Sequence, residues 1–96
     1  MIVEIQVVPR PPDKDGVRYF YVERALDVIK SSGLKYEVGA LGTTIEGEPD
    51  AVWDLLRRIH RAPLDHGAES ILTYIKLAEQ RERPVTMQDL TGPHRR

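Results

Sequence analysis

Two kinds of hydrophobic periodicity alternate along this chain, and their order restricts the fold more than any single residue does. In the first segment, Ile2 to Val8, residues Val3, Ile5 and Val7 share one face while Glu4 and Gln6 share the other. That period of two is the pattern of a half-buried strand. Pro9, Pro11 and Pro12 follow, and they are expected to stop the strand because proline brings no N–H to a ladder. Asp13-Lys14-Asp15-Gly16 continues as a loop. The period then changes to that of a helix. Val22, Ala25, Leu26 and Ile29 form a stripe, with Glu23, Arg24, Asp27 and Lys30 off it. This helix is expected to start near Tyr19 and to end before Gly33, a residue suited to a left-handed cap.

The second half repeats the scheme. Leu34 to Val38 alternates as strand two, Gly39-Ala40-Leu41-Gly42 makes a tight turn, and Thr43 to Glu48 reads as strand three. Thr43 and Ile45 should share one face of it, Thr44 and Glu46 the other. Pro49 suits a first helical position, and Val52, Leu55, Leu56 and Ile59 carry a second apolar stripe. Pro63 should end or kink this helix. Ser70 to Leu77 is strand four, with apolar residues on both faces, so both faces are expected to be at least partly covered. Residues 79–84 read as a solvated loop. Thr86 with Asp89 should cap one helical turn.

The order β-α-β-β-α-β specifies an α+β, ferredoxin-like sandwich, a four-stranded antiparallel sheet with two helices on one face. Residues 1–92 form one domain in this reading and 93–96 a flexible tail. The sheet face away from the helices should carry Glu4, Gln6, Thr44, Glu46, Leu72 and Tyr74. That mixture suits a subunit interface or a ligand platform better than open solvent.

Composition narrows the chemistry. With 96 residues the core is thin, and oligomerisation would support it. A formal net charge of -1 steers the chain neither to nucleic acid nor to anionic membrane. The absence of cysteine removes disulfides, thiolate catalysis and Cys-ligated metals. No apolar run approaches the roughly 20 residues of a membrane span, and Glu4 stands where a signal peptide would be basic. A soluble cytoplasmic protein is expected. His60 and His66 are six positions apart, too far to aim at one metal from one helix. No nucleophile elbow and no phosphate loop is present, so no catalytic residue is assigned. The first strand lacks the exposed aromatics of an RNA-binding sheet, and Arg57, Arg58 and Arg61 read as a solvated helix face. Trp53 is expected to pack at the edge of the core, with an interface as the alternative. Tyr19-Phe20-Tyr21 cannot all face that core, and one of them should line a pocket or a contact. The densest polar array is Gly42-Thr43-Thr44-Ile45-Glu46-Gly47-Glu48. A carboxylate such as Glu46 suits an aminopyrimidine, and Tyr36 offers a flat wall or a face for a cation.

The runs Ser32-Gly33-Leu34-Lys35-Tyr36-Glu37-Val38-Gly39 and Gly42-Thr43-Thr44-Ile45-Glu46-Gly47-Glu48 resemble the small thiamine-binding proteins. Val7-Val8-Pro9, Thr73-Tyr74-Ile75-Lys76-Leu77 and Thr86-Met87 match that family in kind and order. The resemblance implies a ferredoxin-like subunit that forms homodimers or tetramers. It also implies non-catalytic binding of thiamine or its hydroxymethylpyrimidine half, with Tyr36, Thr43, Thr44 and Glu46 as ligand-binding positions. Ala40, where many relatives have proline, and the short final helix depart from the family pattern. The alternative reading is a structural or regulatory oligomer with no small-molecule ligand. A third, by analogy of length and topology with acylphosphatases, is a small hydrolase, but Pro9-Arg10-Pro11-Pro12 lacks a glycine cradle.

Overall fold

The computed structural model describes residues 1–94. Its elements are β1 (Ile2–Arg10), α1 (Phe20–Lys30), β2 (Lys35–Val38), β3 (Thr43–Glu46), α2 (Pro49–Asp65), β4 (Ser70–Ala78) and α3 (Met87–Thr91), followed by a 3-10 turn, Gly92–His94. The four strands form one antiparallel sheet in the order β2-β3-β1-β4. This is the β-α-β-β-α-β arrangement read from the sequence. Of the expected tail, residues 95 and 96 lie outside the described residues, while Pro93 and His94 belong to the 3-10 turn.

Alternation and register settle the two faces. Val3 pairs with Ile45 and Ile5 with Thr43, which puts all four side chains on the face under the helices. Val3, Ile5 and Ile45 pack there with Ala25 and Ile29 of α1 and Val52, Leu55, Leu56 and Ile59 of α2, all buried. Each such aliphatic side chain contributes roughly 1.5–3 kcal/mol by leaving water. The opposite face pairs Ile2 with Glu46, Glu4 with Thr44, Gln6 with Tyr74 and Val8 with Leu72. All six residues expected on that face are there. It is not bare, however: Val85 and Met87 bury themselves against Ile2, so α3 covers one end of it. No helix among the described residues is long and apolar enough to cross a membrane.

Four expectations need correction. β1 does not stop at Val8 but runs through Pro9 to Arg10, paired to Ile71 and Ser70. β3 flanks β1 only as far as Ile5, so the missing N–H of Pro9 leaves no β3 carbonyl unmatched. Of the two effects expected of Pro63, ending the helix is overturned, because α2 continues to Asp65. A proline so close to the last residue removes only one bond from a terminal turn. β4 is not covered on both faces. It is an edge strand, and Leu72, Tyr74, Ile75 and Leu77 are between 38% and 56% exposed. Trp53 is not packed at the core edge: it lies beside the buried stripe of α2 and is 54% exposed.

Candidate functional site

The β2–β3 hairpin turns early. Gly39 donates its N–H to the Gly42 carbonyl at 2.8 Å, and the ladder between β3 and β1 begins only at Thr43 and Ile5. Beyond that point the hairpin peels away from β1. The gap between the turn and α1 is a cleft of about 300 Å³. Its floor is Ile5, Gln6 and Val7; one wall is Val22, Ala25, Leu26 and Ile29 of α1; the other is Val38 and the turn Gly39–Gly42, with Thr43 at the base. Glycine at position 42 avoids a tight approach, because a Cβ there would stand 3.2 Å from the Ile5 carbonyl oxygen. No residue lining the cleft carries a formal charge at neutral pH among those described.

Tyr19 stands at the mouth. Its backbone is left-handed, with φ 58°, a conformation that costs a non-glycine residue of order 1–3 kcal/mol and needs support from its surroundings. The support is the Asp13 carboxylate, which accepts the Tyr19 N–H at 3.1 Å. The Arg18 guanidinium lies 5.1 Å from the ring centre and donates to the Tyr19 hydroxyl at 3.1 Å. The three aromatics thus divide their work. Tyr19 lines the cleft; Tyr21 is buried; Phe20 stacks edge-on against Tyr21 and His66 and meets Lys14 and Arg24 as a cation–π partner.

The four residues singled out from the sequence do not converge. Tyr36 pairs with Ile45 and lies on the helix side of the sheet, partly exposed and outside the cleft. Thr43 is on the same side, 5% exposed, and lines the cleft. Thr44 and Glu46 are on the opposite face, as strand alternation demands. Thr44 lines a shallower depression beside α3 together with Glu4 and Met87. The Glu46 Oε1 accepts the backbone N–H of Met87, which anchors the first turn of α3. A carboxylate expected to read a ligand thus ties two distant segments together.

His60, His66 and the charged row of α2 have structural partners. His60 Nδ1 meets Thr73 Oγ1 at 2.6 Å and His66 Nδ1 meets the Ala62 carbonyl at 2.9 Å, so the two rings serve different elements. Asp54 bridges Arg57 and Arg58, and the hydrogen bond from Arg57, reinforced by Arg58, holds its carboxyl below the usual carboxylate range. Arg61 pairs with Asp65. Among the described residues, no three His, Cys, Asp or Glu side chains are grouped to hold a metal ion. What the cleft offers is neutral: an apolar slot, one buried hydroxyl and backbone groups. A mostly apolar lining with a few polar groups is the usual make-up of a small-molecule site.

Residues 3–94 match the family model described as thiamine-binding protein. The chain belongs to that family. A UPF0045 protein of Clostridium perfringens is 28% identical over 93 residues, which is 97% of this chain and 95% of the relative. One from Eremothecium gossypii is 32% identical over 88 residues, covering 92% and 83%. Among solved structures, a domain of unknown function from Bacillus cereus superposes with a TM-score of 0.89 at 37% identity, over 98% of this chain and 88% of that one. A candidate thiamine biosynthesis/salvage protein from Thermotoga maritima does so with a TM-score of 0.81 at 29% identity, over 98% and 97%.

Proposed function

We propose that this member of the thiamine-binding protein family binds thiamine or its hydroxymethylpyrimidine half, without reacting it, in the cleft between α1 and the β2–β3 turn. The observation that carries this reading is the uncharged cleft with the buried Thr43 at its base. Its volume of about 300 Å³ sits at the lower end of the roughly 300–1,000 Å³ typical of small-molecule sites. The aminopyrimidine ring is neutral and flat and suits such a slot. The thiazolium of thiamine is a cation, and burying it without a counter-ion is costly. The pyrimidine end therefore enters and the thiazolium stays toward the mouth. Of the four positions taken from the sequence, Thr43 is the proposed ligand contact. Among the described lining residues there is no carboxylate, histidine or lysine, and Tyr19 stands alone as a titratable side chain, which supports holding over turnover.

The exposed edge of β4 supports a homo-oligomer. Ser70–Ala78 contains no proline, no glycine and a single lysine, so none of the usual devices that blunt an edge is prominent. The accessible surface, 6593 Å², also exceeds the roughly 5,600 Å² expected for a monomer of this mass. We propose that a second copy covers this edge. If the cleft proves empty under all conditions, the edge alone favours the other reading, a structural oligomer without ligand.

Native mass spectrometry with added thiamine, or with added hydroxymethylpyrimidine, tests the proposal. An oligomer that gains ligand mass, one per subunit, is expected. Thr43→Val, which keeps shape and removes the hydroxyl, should weaken binding about tenfold. An oligomer that gains no mass at saturating ligand, or a Thr43→Val protein with unchanged affinity, overturns the site.

A further inference from the structure

The cleft has a polar feature that side-chain reasoning does not reveal, and it comes from the phase of hydrogen bonding along β1. Met1 and Gly47 exchange both backbone bonds, at 3.0 and 3.1 Å. In an antiparallel ladder such doubly bonded pairs recur at every second residue. Val3 with Ile45 and Ile5 with Thr43 are therefore also doubly bonded pairs, in the register that the strands show. The Ile5 carbonyl indeed points to the β3 side, where it crowds Gly42. The opposite neighbour gives the same phase. Pro9 sits across from Ile71, and a residue without an N–H cannot take part in a doubly bonded pair. The backbone groups of the odd-numbered residues of β1 thus turn away from β4 and toward β3.

Val7 is the next residue in that series, and β3 has already left. The N–H and C=O of Val7 point into the gap opened by the hairpin, and no hydrogen bond to either is found among the described residues on that side. Val7 lines the cleft, as does Thr43. One residue of a ladder edge offers a donor and an acceptor side by side. An aminopyrimidine offers the complement: a ring nitrogen that accepts and, on the adjacent carbon, an amine that donates. We infer that the backbone of Val7 reads the ligand as a missing strand would, its N–H donating to the ring nitrogen and its C=O accepting from the exocyclic amine. The ligand class that this edge selects is a neutral heteroaromatic with an amine next to a ring nitrogen. The inference rests on the proposed binding site and adds the element that confers specificity within it.

The test is amide hydrogen exchange of the ¹⁵N-labelled protein with and without saturating hydroxymethylpyrimidine. The Val7 amide should exchange at least tenfold more slowly in the complex, because an unpaired N–H acquires an acceptor. An analogue in which hydrogen replaces the amine should bind about tenfold more weakly, since it leaves the Val7 carbonyl unmatched. Val7→Pro removes the donor at a position where, as at Pro9, no ladder bond is lost; it should weaken the parent ligand more than Thr43→Val does while the fold persists. If calorimetry shows that hydroxymethylpyrimidine does not bind at all, the binding site itself is wrong, and this inference falls with it. If the ligand binds but the Val7 amide keeps its exchange rate, or the analogue binds equally well, binding stands and the backbone reading is overturned. Should Val7→Pro fail to fold, the exchange and analogue measurements decide on the unaltered chain.

Discussion

Replacing Glu46 separates two roles that its position in the sequence leaves confounded. In the structure its Oε1 accepts the Met87 N–H across a separation of 41 residues. Removal of the side chain by Glu46→Ala leaves that amide without its charged acceptor. Hydrogen bonds to ionised groups contribute about 1.5–3 kcal/mol, and that is the expected loss of stability. The companion contacts decide whether α3 detaches. Val85 and Met87 are both buried against Ile2, and at roughly 1.5–3 kcal/mol each they exceed the loss. The helix should therefore stay docked, with the protein weaker but folded. For a domain of this size the melting temperature should fall by roughly 6–24 °C. Glu46→Gln keeps a neutral acceptor, and its cost should be about 1 kcal/mol. Urea titration followed by circular dichroism measures both. Calorimetry with hydroxymethylpyrimidine on the same samples should give affinities within about twofold of the parent, because Glu46 is on the far side of the sheet from the cleft. A Glu46→Ala protein of unchanged stability that no longer binds would refute this reasoning and return the carboxylate to the ligand.

Two further outcomes follow from the edge strand and from the cap of α3. Ile75 is nearly half exposed on β4; Ile75→Lys should convert an oligomer to a monomer in light scattering at little cost to subunit stability, and an unchanged mass would move the subunit contact elsewhere. Asp89 completes a capping box with Thr86, and the Thr86 backbone N–H, then the Thr86 hydroxyl and Arg83, hold its carboxyl below its ordinary value. A carboxyl depressed in the folded state stabilises above its unfolded value and loses that contribution as pH falls through the folded one. Urea midpoints taken downward from about pH 5 should decline less steeply for Asp89→Asn than for the parent, and parallel curves would remove the cap from the acid response.

The fold was legible because burial imposes a period. Val3 and Ile5 on β1 and the stripe from Val52 to Ile59 on α2 had to face one core, and the change of period between them marked each element. What escaped was set by neighbours rather than by pattern. Pro9 looks like a terminator until its flanking strands are known, and the apolar residues of β4 look buried until the strand order puts them at an edge. The site was less legible still. The polar run from Thr43 to Glu46 is split by alternation, which sends Thr43 and Thr44 to opposite faces in the sequence reading and in the structure alike. Tyr19 was among three equivalent candidates until its left-handed backbone turned it to the cleft mouth. The clasp between Glu46 and Met87 joins residues that no local window contains.

A single register connects the reading element to the exposed edge. If β1 and β4 slipped by one residue, Pro9 would fall in a doubly bonded position it cannot fill, and Val3 and Ile5 would turn out of the core. Pro9 thus fixes the phase in which Val7 directs its backbone into the cleft. By the same phase Ile71, Thr73, Ile75 and Leu77 direct theirs away from β1, off the free side of the sheet. The proline read from the sequence as a strand end instead aligns two sets of unpaired backbone groups, one toward the proposed ligand cleft and one toward the proposed subunit contact. This alignment separates the two proposals experimentally: Ile75→Lys acts on the outer set alone, and Val7→Pro acts on the inner set alone. Loss of ligand in the first variant, or loss of the oligomer in the second, would show that the two sets are coupled through β1 rather than independent.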